Sequence, residues 1–331
     1  MLRFFIRRAL LAVVTLFAIS VTTFLIFFAV PSNPAATMCG NKVCPADSIE
    51  RINKSLGLNE PLPVQYGRYM KGIVAGREFD NGTPTPDDCP APCLGYSFRT
   101  GQPVLDIIKQ GAPISASIVL GAAIIWLTIG IVLGTAAALR RGGALDKFSI
   151  GFSLGFASTQ IYVLGLVFEA IFVYGLGWLP RPTYTSPFDN PAQWALGMIL
   201  PWLTLGLINS AVYARLSRAQ MLETLSEDFV RTARAKGVSP RAVNFRHALR
   251  AAITPIVTIA GLDIGINLGG VVITESTFNL LGMGKIAVNA IENLNLPIVM
   301  ATVLIAATFI VVSNVLVDML YAVIDPRVKL S

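Results

Sequence analysis

The sequence predicts an all-α polytopic membrane protein with six transmembrane helices and a small helical cap in its first long loop. Three observations carry that prediction. Apolar stretches recur at about Ala9–Val30, Ile114–Leu139, Phe148–Tyr174, Ala192–Tyr213, Ile253–Ser276 and Pro297–Ile324. About 20 apolar residues cross a bilayer core as a helix, because lipid leaves backbone groups no partner outside their own segment. The loops between them alternate between rich and poor in Lys and Arg. Finally, 54% of the 331 residues are hydrophobic, which leaves little material for a separate soluble domain.

The basic residues set the orientation. Arg3, Arg7 and Arg8 precede the first span, and Arg140, Arg141 and Lys147 follow the second. Arg215, Arg218, Arg231, Arg234, Lys236, Arg241, Arg246 and Arg250 follow the fourth, and Arg327 and Lys329 end the chain. The short loops on the other side hold only Arg181 and Lys285. Short basic loops stay in the cytoplasm, so both termini are expected inside a multi-pass protein of the cell membrane. The net charge of +7 then reflects topology and contact with membrane lipid. A nucleic-acid partner is not expected, since no basic, aromatic-studded soluble face exists.

The first apolar stretch is longer than a signal-peptide core, and Val30-Pro31-Ser32-Asn33-Pro34 is no small-x-small cleavage site. Residues 1–30 are therefore read as an N-terminal segment with the first span, 31–113 as an extracytoplasmic cap loop, and 114–331 as a five-helix core. Within the cap, Pro45-Ala46-Asp47-Ser48 followed by Ile49, Ile52 and Leu56 predicts a capped amphipathic helix. Gly57 is placed to end it in a left-handed conformation. Residues from Pro61 to Val74 repeat the pattern, and Asn81 to Cys93 has the Gly, Pro and Asp content of a loop. The cap either roofs the bundle or docks a partner.

All four cysteines, Cys39, Cys44, Cys89 and Cys93, lie in this loop. Four cysteines allow three connectivities. The pairs Cys39–Cys44 and Cys89–Cys93 are preferred because each closes a small loop in an oxidising exterior; free thiols are the plainer alternative. No metal is expected, because zinc-finger spacing is absent and the single histidine, His247, falls on the opposite side.

The third span contains Glu169, and the sixth contains Asn314 and Asp318. On the fifth, Gly261, Gly265 and Gly269 recur every four residues, a spacing that lets helix backbones approach closely. Asp263 and Asn267 share that span, about 15–20 Å from its basic end at ~1.5 Å per residue. An acid at that depth must face protein or water. Asp263, Asn267, Glu169 and Asn314 line a polar path, or they make buried helix–helix hydrogen bonds. Glu169, Asp318 and Glu275 lie nearer span ends, where interfacial solvation accounts for them.

The loop 217–252 is too polar to span. Ser226-Glu227-Asp228 predicts a Ser-capped helix start with acids at its positive end. Gly237 stops that helix, and Ser239-Pro240 starts another. The expected result is a helix–Gly–helix element lying along the membrane surface.

The run Glu227-Asp228-Phe229-Val230-Arg231-Thr232-Ala233-Arg234-Ala235-Lys236-Gly237, then His247-Ala248-Leu249-Arg250-Ala251-Ala252 and Pro255, resembles the cytoplasmic loop of ABC importer permeases. It is most similar to the B-type subunit of the dipeptide/oligopeptide class. Other pieces agree in order: Leu56-Gly57-Leu58 with Pro61 and Gln65-Tyr66, Arg99 to Val104, Glu275 with Leu281-Gly282-Met283-Gly284, and Asp318 to Ala322 with Asp325-Pro326-Arg327. The resemblance implies the importer-permease fold and a homologous second permease. It implies ATPase subunits that bind ATP and Mg, a cofactor pair this chain itself does not hold, and an extracytoplasmic substrate-binding protein. Glu227, Asp228, Arg231, Thr232, Ala233, Arg234, Ala235, Lys236 and Gly237 would be the coupling element. Where the general pattern opens with an acid and two small residues, this chain has Arg231-Thr232-Ala233, so Glu227 and Asp228 would supply the acid one turn earlier. Two further departures are the Cys-bearing insertions and Ser158-Thr159-Gln160 in the third span, where the class commonly has proline. Peptides are the class default, with haem, nickel chelates and glutathione carried by relatives.

No catalytic residues are expected. The sequence contains no G-x-x-x-x-G-K-[ST] phosphate loop and no H-E-x-x-H helix. The competing reading is an ion-coupled carrier acting alone, with Asp263 and Glu169 as ion sites.

Overall fold

The structure, a computed structural model, describes residues 2–29, 34–38, 45–80 and 86–324. Its elements are α1 (Leu2–Phe28), α2 (Pro34–Met38), α3 (Ala46–Leu56), α4 (Leu62–Ala75), β1 (Arg77–Phe79), β2 (Asp87–Cys89), β3 (Tyr96–Ser97), β4 (Gln102–Pro103), α5 (Val104–Leu139), α6 (Ala144–Ala157) and α7 (Ile161–Glu169). They continue as α8 (Pro191–Ser226), α9 (Asp228–Ala235), α10 (Pro240–Ala242), α11 (Leu249–Leu268), α12 (Val272–Thr277), α13 (Met283–Glu292) and α14 (Leu296–Ile324). Single π-helical turns follow α7 at Ala170–Gly175 and α10 at Val243–Ala248. Among the described residues, five helices are long and apolar enough to cross a membrane: Ile6–Phe28, Val104–Leu139, Pro191–Ser226, Pro240–Leu268 and Leu296–Met319. The pair Ala144–Ala157 and Ile161–Gly175, bent by 96°, makes a sixth if it is one span. The chain is a multi-pass, mostly helical membrane protein.

The described residues form two compact units. One is drawn from Met1–Ser115, Leu268–Val272 and Leu281–Val312, the other from Ala116–Asn267, Ile273–Leu280 and Ser313–Ser331.

In the first unit, α3 ends at Gly57, whose φ of 71° is left-handed as its position predicts. The turn into α4 is held by Gln65, which is buried and donates from Nε2 to the carbonyls of Leu58 (3.1 Å) and Glu60 (2.7 Å). Its neighbour Tyr66 ties α4 to α1 through a 2.7 Å hydroxyl–hydroxyl bond with Ser20. Half-buried Arg77 donates to the Ser55 carbonyl and lies over the Phe79 ring. Burial lowers its pKa to about 10, helped by nearby Arg68 and opposed by Glu60, so it stays charged at neutral pH. The segment read as an irregular loop is partly ordered: β1 and β2 pair antiparallel, with Arg77 opposite Cys89. A Cys89–Cys93 disulfide closes the end of β2, with Phe79 and Tyr96 stacked beside it. The expected Cys39–Cys44 pair lies outside the described residues. The membrane-proximal core joins Val104 and Ile108 of α5 to Met283, Ile286 and Ala290 of α13 and to Ile298 and Val299 of α14.

In the second unit α8 is the central post. Gly130 and Gly134 of α5 lie against it. A Cβ on Gly130 would come within 2.5 Å of the Tyr213 Cβ, and one on Gly134 within 2.7 Å of the Ser217 Cβ. This G-x-x-x-G spacing lets the two backbones meet, and nothing in the reading of the fifth span anticipated it.

Several expectations change. The third span is not straight. The hydroxyls of Ser158 and Thr159 bond back to the carbonyls of Leu154 and Gly155, both at 2.8 Å, and Gln160 is extended at φ −74°, ψ 141°. Such back-bonds compete with the helix ladder, and the chain turns there. The fifth stretch does not run as one helix to Ser276. Helix α11 stops at Leu268, and Gly270 turns at φ 135°, where a Cβ would meet the Gly284 backbone at 2.5 Å. Gly269 is therefore not on the helix, although Gly261 does face Val317 of α14. Helix α8 continues to Ser226, so residues 217–226 are helical rather than loop. Ser226 does not cap α9; its hydroxyl bonds the Glu223 carbonyl, and Glu227 takes the cap position without a side-chain bond. Glu275 is fully buried rather than solvated at an interface.

Candidate functional site

Residues 227–237 form a short helix held to the bundle by one side. Val230 of α9 is completely buried, with Met221 of α8, Ala138 of α5, and Val243, Ala248 and Ala252 around it. Ala233, one turn on, is half-buried in the same cluster. Burial of a valine contributes roughly 1.5–3 kcal/mol, enough to fix an eight-residue helix that would not persist alone. Glu227, Asp228, Arg231, Thr232, Arg234, Ala235, Lys236 and Gly237 all point outward. The Arg231–Asp228 pair, at 3.6 Å and largely exposed, is a surface contact worth ~0–1 kcal/mol, so both charges remain available. The face is bipolar, with acids at the start of the helix and cations at its end, matching the helix dipole. Phe229, 45% exposed among these charges, belongs to the same face and was not singled out by the sequence reading. Its signal was an aromatic that cannot share the inward direction of Val230.

Gly237 ends the element at φ 76°, with nothing within 4 Å of where a Cβ would sit. Ser239 caps the next helix by accepting from the Ala242 N–H at 3.4 Å, with Pro240 at its first position. Here the expected surface-lying helix is corrected: Pro240–Leu268 runs on directly into the fifth span through the π turn. Val243, Ala248 and Ala252 carry one buried stripe through both segments, so the chain has no reason to turn aside. His247 lies half-buried in that π turn. On the other flank, Arg218 of α8 grips the Asp146 carboxylate from Nε (2.6 Å) and Nη2 (3.1 Å), while the Gly142 N–H donates to the same group at 2.8 Å. That bracket fixes the α5–α6 turn to α8 ten residues before α9 begins at Asp228. In the sequence alone Arg218 shows only as one of the basic residues that set the topology.

Deeper in the second unit, Asp263 and Asn267 are brought together. The Tyr213 hydroxyl of α8 donates to the Asp263 carboxylate at 2.6 Å, and the Asn267 amide donates to the Asp263 backbone carbonyl at 2.7 Å. An aspartate at the centre of a span costs about 2.5–3.5 kcal/mol. An interhelical hydrogen bond in a membrane returns about 0.6–1.7 kcal/mol. The Tyr213 bond therefore offsets part of that cost, and the remainder calls for water or a second polar group. Among the described residues Glu169, half-buried at the end of α7, and Asn314, half-buried on α14, make no hydrogen bond with this pair.

Two family profiles cover the chain. "Binding-prot-dependent transport system membrane comp, N-term" matches residues 1–119, and "Binding-protein-dependent transport system inner membrane component" matches residues 130–330. The chain is similar to a probable peptide ABC transporter permease protein, y4tP, of Sinorhizobium fredii, 35% identical over 98% of this chain and 99% of that protein. It is similar to the dipeptide transport system permease protein DppB of Alkalihalophilus pseudofirmus, 34% identical over 99% and 100%. A glutathione transport system permease protein, GsiC, of Pectobacterium atrosepticum is 35% identical over 99% of both chains. These matches span the apolar helices and the α9 turn alike: the chain belongs to the family of binding-protein-dependent transport system inner membrane components, as a permease subunit of an ABC importer whose ATP hydrolysis takes place on separate subunits.

Proposed function

We propose that this chain carries di- or oligopeptides inward as one of two homologous permeases, driven through the α9 turn by cytoplasmic ATPase subunits that hold ATP and Mg. The observation that carries the reading is mechanical. Residues 227–237 present a charged, Phe229-bearing face outward while Val230 locks their other side to α5, α8 and the start of the fifth span. A push on that face moves the ends of three long helices at once. The basic loops support a cytoplasmic location for this turn and for both termini. On the opposite face the cap, with the segments near Pro180–Pro191 and Phe278–Asn295, would receive an extracytoplasmic binding protein. The uncompensated part of the Asp263 cost supports a water-accessible path past Asp263 and Asn267, with Glu169 and Asn314 further along it. The peptide assignment rests on what the relatives named above carry, and glutathione, itself a small peptide, belongs to the same chemical class.

The test is reconstitution of the complete transporter with its binding protein in liposomes. Labelled dipeptides, a longer peptide, glutathione and haem are offered in parallel. Uptake of a peptide that needs ATP, and a disulfide crosslink from Phe229→Cys to the ATPase subunit, are the expected results. Uptake driven by an ion gradient in vesicles holding this chain alone would overturn the proposal.

A further inference from the structure

We propose that the groove where α5 ends, beside the π turn, is a binding site for one anionic glycerophospholipid. The groove has a volume of about 460 Å³ and is lined by Ile131, Val132, Thr135, Ala136, Leu139 and Arg140 of α5, with Leu145, Phe245 and Leu249 closing it. That volume lies within the ~300–1,000 Å³ of ordinary small-molecule sites.

Its walls are apolar and open to the surroundings: Val132, Phe245 and Leu145 are 63%, 53% and 37% exposed. Polarity is confined to two places. The Thr135 hydroxyl, in a residue 6% exposed, is buried in the protein with no hydrogen-bond partner. That oxygen is closed off from the groove, so Arg140 is the polar group an amphiphile would meet. At one end stands Arg140, whose side chain makes no hydrogen bond or ion pair among the described residues. Arg141 and Lys147 add positive charge to the same turn, and its one acid, Asp146, is held by Arg218.

An apolar trough with a free guanidinium at one end matches an amphiphile with an anionic head. A docking helix from another protein would have to bring its own carboxylate to Arg140. Basic pockets between membrane helices hold anionic headgroups by this chemistry, and arginine extends its charge toward the interface while its stem covers apolar surface. Because Leu249 and Phe245 flank the buried stripe that anchors α9, a lipid here touches the base of the α9 turn. The inference does not depend on which solute is carried.

The test uses the assembled transporter in phosphatidylcholine nanodiscs carrying a trace of acyl-diazirine phosphatidylglycerol or acyl-diazirine phosphatidylcholine. After illumination, labelled peptides are mapped by mass spectrometry. Phosphatidylglycerol is expected to label Ile131–Leu139, Phe245 and Leu249 in preference to phosphatidylcholine. Arg140→Gln should cut that labelling about fivefold, the effect of losing one cation at an anionic headgroup. Ala136→Leu, which fills the groove, should cut labelling by both lipids. Equal labelling by the two lipids in the wild-type complex overturns the proposal, as does a photoreactive residue at Val132 that captures the second permease instead. The wild-type comparison decides the matter even if a variant fails to assemble.

Discussion

At the scale of single residues, Gly237 shows how a backbone dihedral can matter without a contact. Nothing approaches its Cβ position, yet its φ of 76° costs an ordinary residue roughly 1–2 kcal/mol, and a β-branched one more. Gly237→Val should therefore leave the complex assembled but separate ATP hydrolysis from uptake, whereas Gly237→Asn, which tolerates the left-handed region, should retain most uptake. Paired measurements of ATPase rate and peptide uptake check this; full coupling in the Val variant would refute it. The Tyr213–Asp263 bond makes a second residue-level prediction. Tyr213→Phe removes the donor and leaves the carboxylate in place, so the yield of assembled complex should fall, with ~0.6–1.7 kcal/mol lost from the helix pair. Asp263→Asn keeps an acceptor for Tyr213 and removes the charge, so assembly should hold while uptake changes. Size-exclusion yield beside uptake rate separates the two; the reverse pattern would make Asp263 purely structural.

At the scale of elements, the sequence read type and order well and read ends poorly. The αL stop at Gly57 and the Ser239-Pro240 start follow from local chemistry that acts within a few residues, and both stand in the structure. Helix α8 overran its expected end because Ser217 and Met221, polar or not, are buried against neighbours unknown to the local sequence. The fifth stretch broke at Gly270 because α13 approaches there, an event set by residues 14 positions away. In the cap, the short β1–β2 pair is too small to persist unaided. The Cys89–Cys93 bridge closes a loop of a few residues, which contributes about 2 kcal/mol in the chain-entropy account. Replacing both cysteines by Ser should speed amide exchange in Arg77–Phe79 and Asp87–Cys89 while exchange in α5 and α8 stays unchanged. Exchange unaltered across the hairpin would show that the stacked Phe79 and Tyr96 suffice without the bridge.

At the scale of the whole molecule, the loop charges and the α9 anchor make one statement about sidedness. Single cysteines placed at Ala235 and at Phe188, in a background lacking the native four, should label from opposite faces of the membrane. A bulky maleimide added outside intact cells should reach Phe188→Cys and reach Ala235→Cys only after permeabilisation. Labelling of both without permeabilisation would invert the reading of the basic loops and remove the α9 turn from the ATPase side.

What the sequence determined by itself was the class of solvent and the family. Apolar length, charge asymmetry and the run from Glu227 to Gly237 are one-dimensional signals, each complete within its own stretch of chain. Tertiary structure alone decided that Val230 is the inward knob of the α9 helix, that Asp146 is held by Arg218, and that Tyr213 answers Asp263. It also decided that Gly130 and Gly134, rather than Gly269, mark a close helix crossing. These pairings join residues far apart in the chain, and each depends on which helix faces come together. Hydropathy places a helix in the bilayer but leaves its rotation about its own axis undetermined, and rotation is fixed only when a second surface packs against it.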